Sequence, residues 1–233
     1  MSPPPPADLV PYPAPVHLAW LAPSSGKSRP RDTVLPEGAA RAVLARPVVV
    51  EEKPDGALIG IAFPDGESPR LQHRNAVLSP PSHAQFQPLW GWLATYQDAL
   101  LRALGKTHVL YGEWCFATHT VRHDQLPDWF LAVDVLDRTT GRFWNVDRRN
   151  ALARDLGLAT PPEVLRNKVD LATLKARLAT TPSALGHGSP AGFVVRLESG
   201  DHLVERALLM RADLADAPAD PATHKTIARN ALA

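Results

Sequence analysis

Lys53 stands where a strand-like run ends. Val48-Val49-Val50-Glu51-Glu52 precedes it, and Pro54-Asp55-Gly56 follows, ahead of a second β-type run from Ala57 to Phe63. Val-rich and Ile-bearing runs read as strands. Pro-Asp-Gly between them reads as the turn of a β-hairpin: Pro presets φ, Asp can bond its own backbone, and Gly accepts positive φ. An amine held at a strand end becomes a nucleophile once it loses its proton. A free lysine titrates near about 10.4, so such a site must depress that value by desolvation or a neighbouring cation. The plain alternative is a hairpin lysine that points at water. Pro64-Asp65-Gly66 repeats the tripeptide and reads as a turn only, so the tripeptide by itself carries no chemistry.

Other residues could share that chemistry. Six lysines stand against nineteen arginines, and guanidinium groups suit bidentate contacts to phosphate. Glu113 lies in the apolar run His108–Phe116 and Asp134 in Leu126–Asp137; an acid inside an apolar strand is costly unless it is paired or functional. Cys115, His119 and His123 are spaced like zinc ligands, but three donors without a CxxC partner make a poor zinc set. Arg148, Arg149 and Arg154 give a basic helix face, either solvated or touching an RNA backbone. Gly186-His187-Gly188 is followed by no Gly-Lys-Ser/Thr and is not a phosphate loop.

The elements that must position these groups follow from periodicity. Residues 1–15 form a Pro-rich leading arm, and residues 16–233 are expected to make a single domain. Glu37–Ala45 reads as a short helix. Ser82–Leu104 is the strongest helix, with Phe86, Leu89, Trp90, Leu93, Tyr96, Leu100, Leu101 and Leu104 at spacings of three and four and Gly105 as its stop. Packing accounts for Trp90 and Trp92 better than base stacking does. Arg70–Leu78 reads as strand then turn, and 108–116 and 126–137 as strands. Helices follow at 147–156 and 170–178, the latter capped by Asp170, and a last strand pair at 191–197 and 203–210. The tail from Ala212 closes as a short helix through Lys225 and Arg229. Irregular interleaving of strands and helices predicts an α+β fold with mostly antiparallel sheets.

The 233 residues suffice for a full core. A formal net charge of +1 excludes bulk polyelectrolyte attraction to nucleic acid. The single cysteine forbids an internal disulfide and fits a reducing compartment. With no run of 18 apolar residues and no signal pattern, a soluble cytoplasmic protein with no membrane contact is expected.

Four stretches occur in a telling order: Glu52-Lys53-Pro54-Asp55-Gly56, Tyr111-Gly112-Glu113-Trp114, Phe130-Leu131-Ala132-Val133-Asp134 and Gly192-Phe193-Val194-Val195-Arg196. The set resembles the covalent (lysine–AMP) nucleotidyltransferase superfamily and, within it, the RNA ligase family, over nearly the whole chain. The resemblance implies an ATP-grasp-like adenylation domain whose antiparallel sheets are flanked by helices. It implies ATP and Mg2+ or Mn2+ as cofactors and RNA ends, a 5′-phosphate and a 3′-hydroxyl, as substrates. It makes Lys53 the adenylated nucleophile. It sets Glu52, Asp55, Gly56, Arg74, Glu113, Phe130 and Arg206 around the nucleotide, Asp134 in a metal shell, and His119 on the substrate.

Two positions depart from the family pattern. Its Glu-Gly is Ala191-Gly192 here, and its basic-x-Lys is Arg206-Ala207-Leu208. Glu198 or Glu205 could replace the acid, and Arg196 or Arg211 the cation. The alternative is therefore a degenerate ligase fold that binds nucleotide or RNA, or serves as an interaction module, without catalysis. A large appended C-terminal domain is not expected, so RNA ends are expected to be positioned by this domain or by a protein partner.

Overall fold

The computed structural model of the protein describes residues 10–22, 33–73, 76–214 and 227–233. Two six-stranded sheets face each other. The first contains β1 (Val16–His17), β2 (Thr33–Val34), β3 (Val48–Glu52), β10 (Glu163–Asn167), β11 (Gly192–Ser199) and β12 (His202–Met210), in the order β10-β3-β11-β12-β1-β2. The second contains β4 (Ala57–Ala62), β5 (Arg70–His73), β6 (Ala76–Leu78), β7 (His108–Trp114), β8 (Phe130–Asp137) and β9 (Arg142–Phe143), in the order β6-β5-β4-β7-β8-β9. The pairings are antiparallel except where β1 meets β2 and β12.

Each sheet buries one face under its own helices. In the first sheet Val48, Val50, Phe193, Val195, Ala207 and Leu209 pack on α1 (Glu37–Leu44) and α4 (Leu171–Thr180). In the second, Ile59, Ile61, Leu110 and Trp114 pack on α2 (Gln87–Leu104), with Ala153 of α3 (Val146–Leu156) in the same cluster. The strand period of two then turns Glu51, Arg196, Arg206, Leu58 and Glu113 to the opposite faces, toward the space between the sheets.

The helices begin and end for local reasons. Asn145 caps α3 by accepting from the Arg148 amide, and Asp170 caps α4 by accepting from the Thr173 amide. Gly105 at φ 51° and Gly157 at φ 70° end α2 and α3. The long helix starts at Gln87, with a short 3₁₀ turn over Ala84–Phe86 before it rather than helix from Ser82. Trp90 and Trp92 pack against the second sheet's core, as expected.

Further sequence expectations change. Val48–Glu52 and Ala57–Ala62 are not a hairpin: β3 pairs with β10 and β11, and β4 with β5 and β7, so the chain leaves one sheet and enters the other at Lys53–Gly56. Arg149 is no solvated helix arginine; it is fully buried. Glu163–Asn167, to which the sequence reading gave no element, is the edge strand β10. The tail helix falls partly on residues outside those described; 227–233 form no helix and make isolated bridges at Arg229 and Leu232.

A bulge sets the functional face of β8. Tyr111 pairs with Asp134 but Gly112 with Ala132, leaving Val133 extra. Phe130 and Ala132 point into the core, and the added residue turns Asp134 away from it while Val135 returns. Phe130 fills the space over Gly112, where an added Cβ would lie 2.0 Å from the Phe130 ring. Gly112→Ala is therefore expected to lower stability by about 1–3 kcal/mol through overpacking. A urea melt unchanged by the substitution would refute that packing.

Candidate active site

The space between the sheets is a cavity of about 310 Å³, within the range of small-molecule sites. Its lining includes Lys53, Asp55, Gly56, His73, Glu113, His119 and Asp134, and, from β11 and β12, Arg196, Arg206 and Leu208. Tyr12, Pro13 and Pro15, from the leading arm, form a wall.

Lys53 sits at the crossing between sheets because its backbone neighbours are tied to several elements. The Lys53 amide donates to the Gly192 carbonyl at 2.9 Å. The Asp55 amide donates to His123 Nε2 at 3.0 Å, and the Gly56 amide to Glu113 Oε1 at 3.0 Å. Gly56 is needed for close approach, not for positive φ: a Cβ there would meet the Trp114 carbonyl oxygen at 2.5 Å. The Asp55 carboxylate does not bond its own turn either. It accepts from the Thr120 and Val121 amides at 2.7 and 2.8 Å. The other Pro-Asp-Gly behaves as its composition predicts: Asp65 accepts from the Glu67 and Ser68 amides, and Gly66 has φ 83°.

The Lys53 amine donates to the Pro54 carbonyl at 3.0 Å and lies 3.7 Å from Asp55 Oδ1. Burial is the largest single influence and lowers its pKa, but the charges of Glu113 and Asp55 together outweigh it, so the net shift is upward. The sequence expectation of a depressed lysine is thus reversed, because the charges beside it are acids and not cations. Burial in turn raises the Glu113 carboxyl, with Lys53 opposing.

A buried ion network borders the same cavity. Glu51 pairs with Arg149 at 2.5 Å, Asp134 with Arg196 at 2.5 Å and with Arg206, and the Tyr12 hydroxyl donates to Asp134. The Asp134 carboxyl is held at about 2: burial pushes it up, but Arg196 and Arg206 more than compensate. The Arg206 guanidinium lies 4.2 Å over the Tyr12 ring and 5.3 Å from that of Phe143. Arg149 also donates to the Val133 carbonyl, so one guanidinium joins β3 to β8.

Some residues expected at the site stand elsewhere. Glu52 is buried away from the cavity, where its carboxylate accepts from the Ser183 hydroxyl and the Ala184 amide. Its parity shows why: Glu51 and Lys53 share a strand face, and Glu52 takes the other. Phe130 is core. Arg74 lies outside the described residues. Of the four candidate replacements for the departing acid and cation, Arg196 alone lines the cavity; Glu198 accepts from the Val146 amide, and Arg211 pairs with Asp213. Ala191 is buried, while Leu208 faces the cavity. Among the described residues, no cluster of three or more His, Cys, Asp or Glu could hold a metal ion, and the zinc trio is not one. Asp134, Glu51 and Asp55 are committed to guanidinium or backbone donors, so as a directly ligating set they do not fit a resident divalent ion.

Sequence reasoning gave Tyr12 and Glu51 no site role, read Arg149 as part of a basic helix face either solvated or touching an RNA backbone, and weighed His123 only as a zinc ligand. The i, i+2 relation of Glu51 to Lys53 was a usable signal. Tyr12 and Arg149 reach Asp134 and Glu51 by long-range packing, a pairing that local pattern does not carry.

Two facing antiparallel sheets with a lysine in the crossing between them define a ligase-type nucleotidyltransferase fold. The RNA ligase family profile matches residues 46–207, and the chain belongs to that family. Among solved structures it resembles Naegleria gruberi RNA ligase. A mutant form with ATP and Mn gives TM-score 0.63 at 14% identity, over 91% of this chain and 58% of that one. The form with PPi gives 0.65 at 14% identity, over 90% and 58%. A mutant with AMP and Mn gives 0.62 at 13%, over 91% and 58%. At such identities the likeness concerns the fold alone, and this chain spans 58% of the length of those proteins. No curated protein matches it. Among the described residues no helix is long and apolar enough to cross a membrane.

Burial holds the His123 imidazole down at about 4 from its ordinary 6.5, so the ring is neutral in the fold. The folded value lies below the ordinary one. Its contribution to stability is therefore complete above about 6.5 and is lost as pH falls toward about 4, up to about 3 kcal/mol. Urea melts between pH 7 and pH 4 are expected to show this loss in the native chain and not in His123→Gln. Equal pH dependence in both would contradict it.

Proposed function

We infer that this chain is an ATP-dependent RNA ligase that works through a Lys53–AMP intermediate. The observation that carries the reading is the position of Lys53, which lines a cavity shared with Arg196 and Arg206 in a chain of the RNA ligase family. The neutral Lys53 amine would attack the α-phosphorus of ATP, forming a P–N bond as the bond to pyrophosphate breaks. An RNA 5′-phosphate oxygen would then displace Lys53 and take the AMP. A 3′-hydroxyl would attack that activated phosphorus, release AMP and leave a phosphodiester. Arg206, stacked on Tyr12, offers its charge to the phosphates, and Asp134 serves to aim Arg196 and Arg206. Preset cations of this kind stabilise developing charge without reorganising. Glu113 and His73 are left to the nucleoside side. Magnesium or manganese would supply charge neutralisation on the triphosphate itself, as hard cations commonly do when substrate phosphates provide most of their ligands.

Leu208 and Ala191 favour a second reading, a fold that binds nucleotide without transferring it. An apolar side chain lines the cavity where the family pattern carries a lysine.

Purified protein with α-labelled ATP and magnesium or manganese separates the readings. Covalent label on the native chain, abolished by Lys53→Ala, is expected. Label that appears only after Ala191→Glu with Leu208→Lys would instead establish the non-catalytic reading. Because Glu113 and Asp55 raise the Lys53 pKa, the labelling rate is expected to climb about tenfold per pH unit above neutrality. Glu113→Gln should move that profile to lower pH. A profile flat from pH 7 to pH 9 would argue against attack by Lys53.

A further inference from the structure

The segment Lys53–Gly56 has three backbone N–H groups, since Pro54 has none, and they are bonded to three different elements. Two of the acceptors are strands or strand side chains, Gly192 and Glu113. The third is His123 Nε2, on the loop between β7 and β8. Because Nε2 accepts, the ring proton belongs on Nδ1, which is buried with no partner among the described atoms. A buried unpaired donor is a standing penalty. A smaller apolar residue would avoid it, so the ring's return must lie in what Nε2 holds.

His123 is itself held from outside. Its amide donates to Asn230 Oδ1 at 2.8 Å, and its carbonyl accepts from the Ala231 amide at 2.9 Å. The Asn230 side chain, 5% exposed, uses its full bonding capacity on this loop: Oδ1 also accepts from the Thr118 hydroxyl, and Nδ2 donates to the Cys115 and Ala117 carbonyls. Backbone bonds from Thr118 to Ala228 and from Asn230 to Phe116 run alongside. The same loop supplies the Thr120 and Val121 amides that hold the Asp55 carboxylate.

We propose that His123 and Asn230 are positioning residues for Lys53. The segment 227–233 straps the β7–β8 loop, and through His123 the loop sets the backbone from which Lys53 projects. The strap belongs to the site without touching substrate. The catalytic consequence rests on the ligase reading above; the mechanical linkage does not.

The test uses the full chain and two paired substitutions. His123→Gln keeps an acceptor for the Asp55 amide, and His123→Leu removes it. Asn230→Ala removes the strap's anchor, and Thr118→Val trims one bond from it as a milder variant should Asn230→Ala fail to fold. Amide hydrogen exchange at Asp55, Thr120 and Val121 is followed beside label uptake and the affinity for ATP. In His123→Leu and Asn230→Ala, exchange at Asp55 is expected to quicken at least about tenfold with exchange in α2 unchanged. Label uptake should fall on the order of tenfold to a hundredfold, with ATP affinity within about threefold of native. His123→Gln should restore both. Unchanged exchange at Asp55, or His123→Gln as impaired as His123→Leu, overturns the proposal; so does faster exchange with native labelling. A native chain that takes no label would sink the ligase reading alone, since the exchange data still decide whether the strap holds the Lys53 segment.

Discussion

The two sheets meet across a line of buried charge. Arg149 reaches from α3 to Glu51 on β3 and to the β8 backbone, and Asp134 on β8 gathers Arg196 and Arg206 from the opposite sheet. Such groups are retained only if each finds its partners, because removing one member of a buried pair typically costs about 3–5 kcal/mol. The network therefore does more than fill space. It ties β3 and α3 to β8, and β8 to β11 and β12, and it holds two guanidinium groups in the wall of the cavity that Lys53 also lines.

The elements were largely legible in the sequence. The stripe of α2, the Asp170 cap and the paired strands near the C-terminus follow from local pattern, and α+β with antiparallel sheets follows from their order. What local pattern does not contain is which strand pairs with which. The runs on either side of Lys53 look like a hairpin because strand, turn and strand are what a hairpin needs. A crossing between sheets needs the same three pieces, and only the distant partners β10, β11, β5 and β7 tell the two apart.

The two Pro-Asp-Gly tripeptides make the same point at atomic scale. Asp65 bonds the amides just ahead of it, and Gly66 adopts the left-handed backbone, so that copy closes β4 onto β5. Asp55 reaches Thr120 and Val121 instead, and Gly56 stays small to let the Trp114 carbonyl approach. Identical residues serve unlike ends according to what packs on them. Similarly, the choice between Glu51 and Glu52 was open to parity reasoning, whereas the bulge that swings Asp134 out of the core left no mark in the sequence.

Tyr12 carries a last implication. Its ring lies beneath Arg206 and its hydroxyl on Asp134, so a residue from the least regular part of the chain braces the most directional cation in the cleft. A long flexible side chain ordinarily forfeits rotational freedom when it grips an anion. Here that freedom is already gone before any visitor arrives, and the guanidinium's flat face cannot turn to suit whatever shape presents itself. The pocket is built to choose by geometry rather than to adapt.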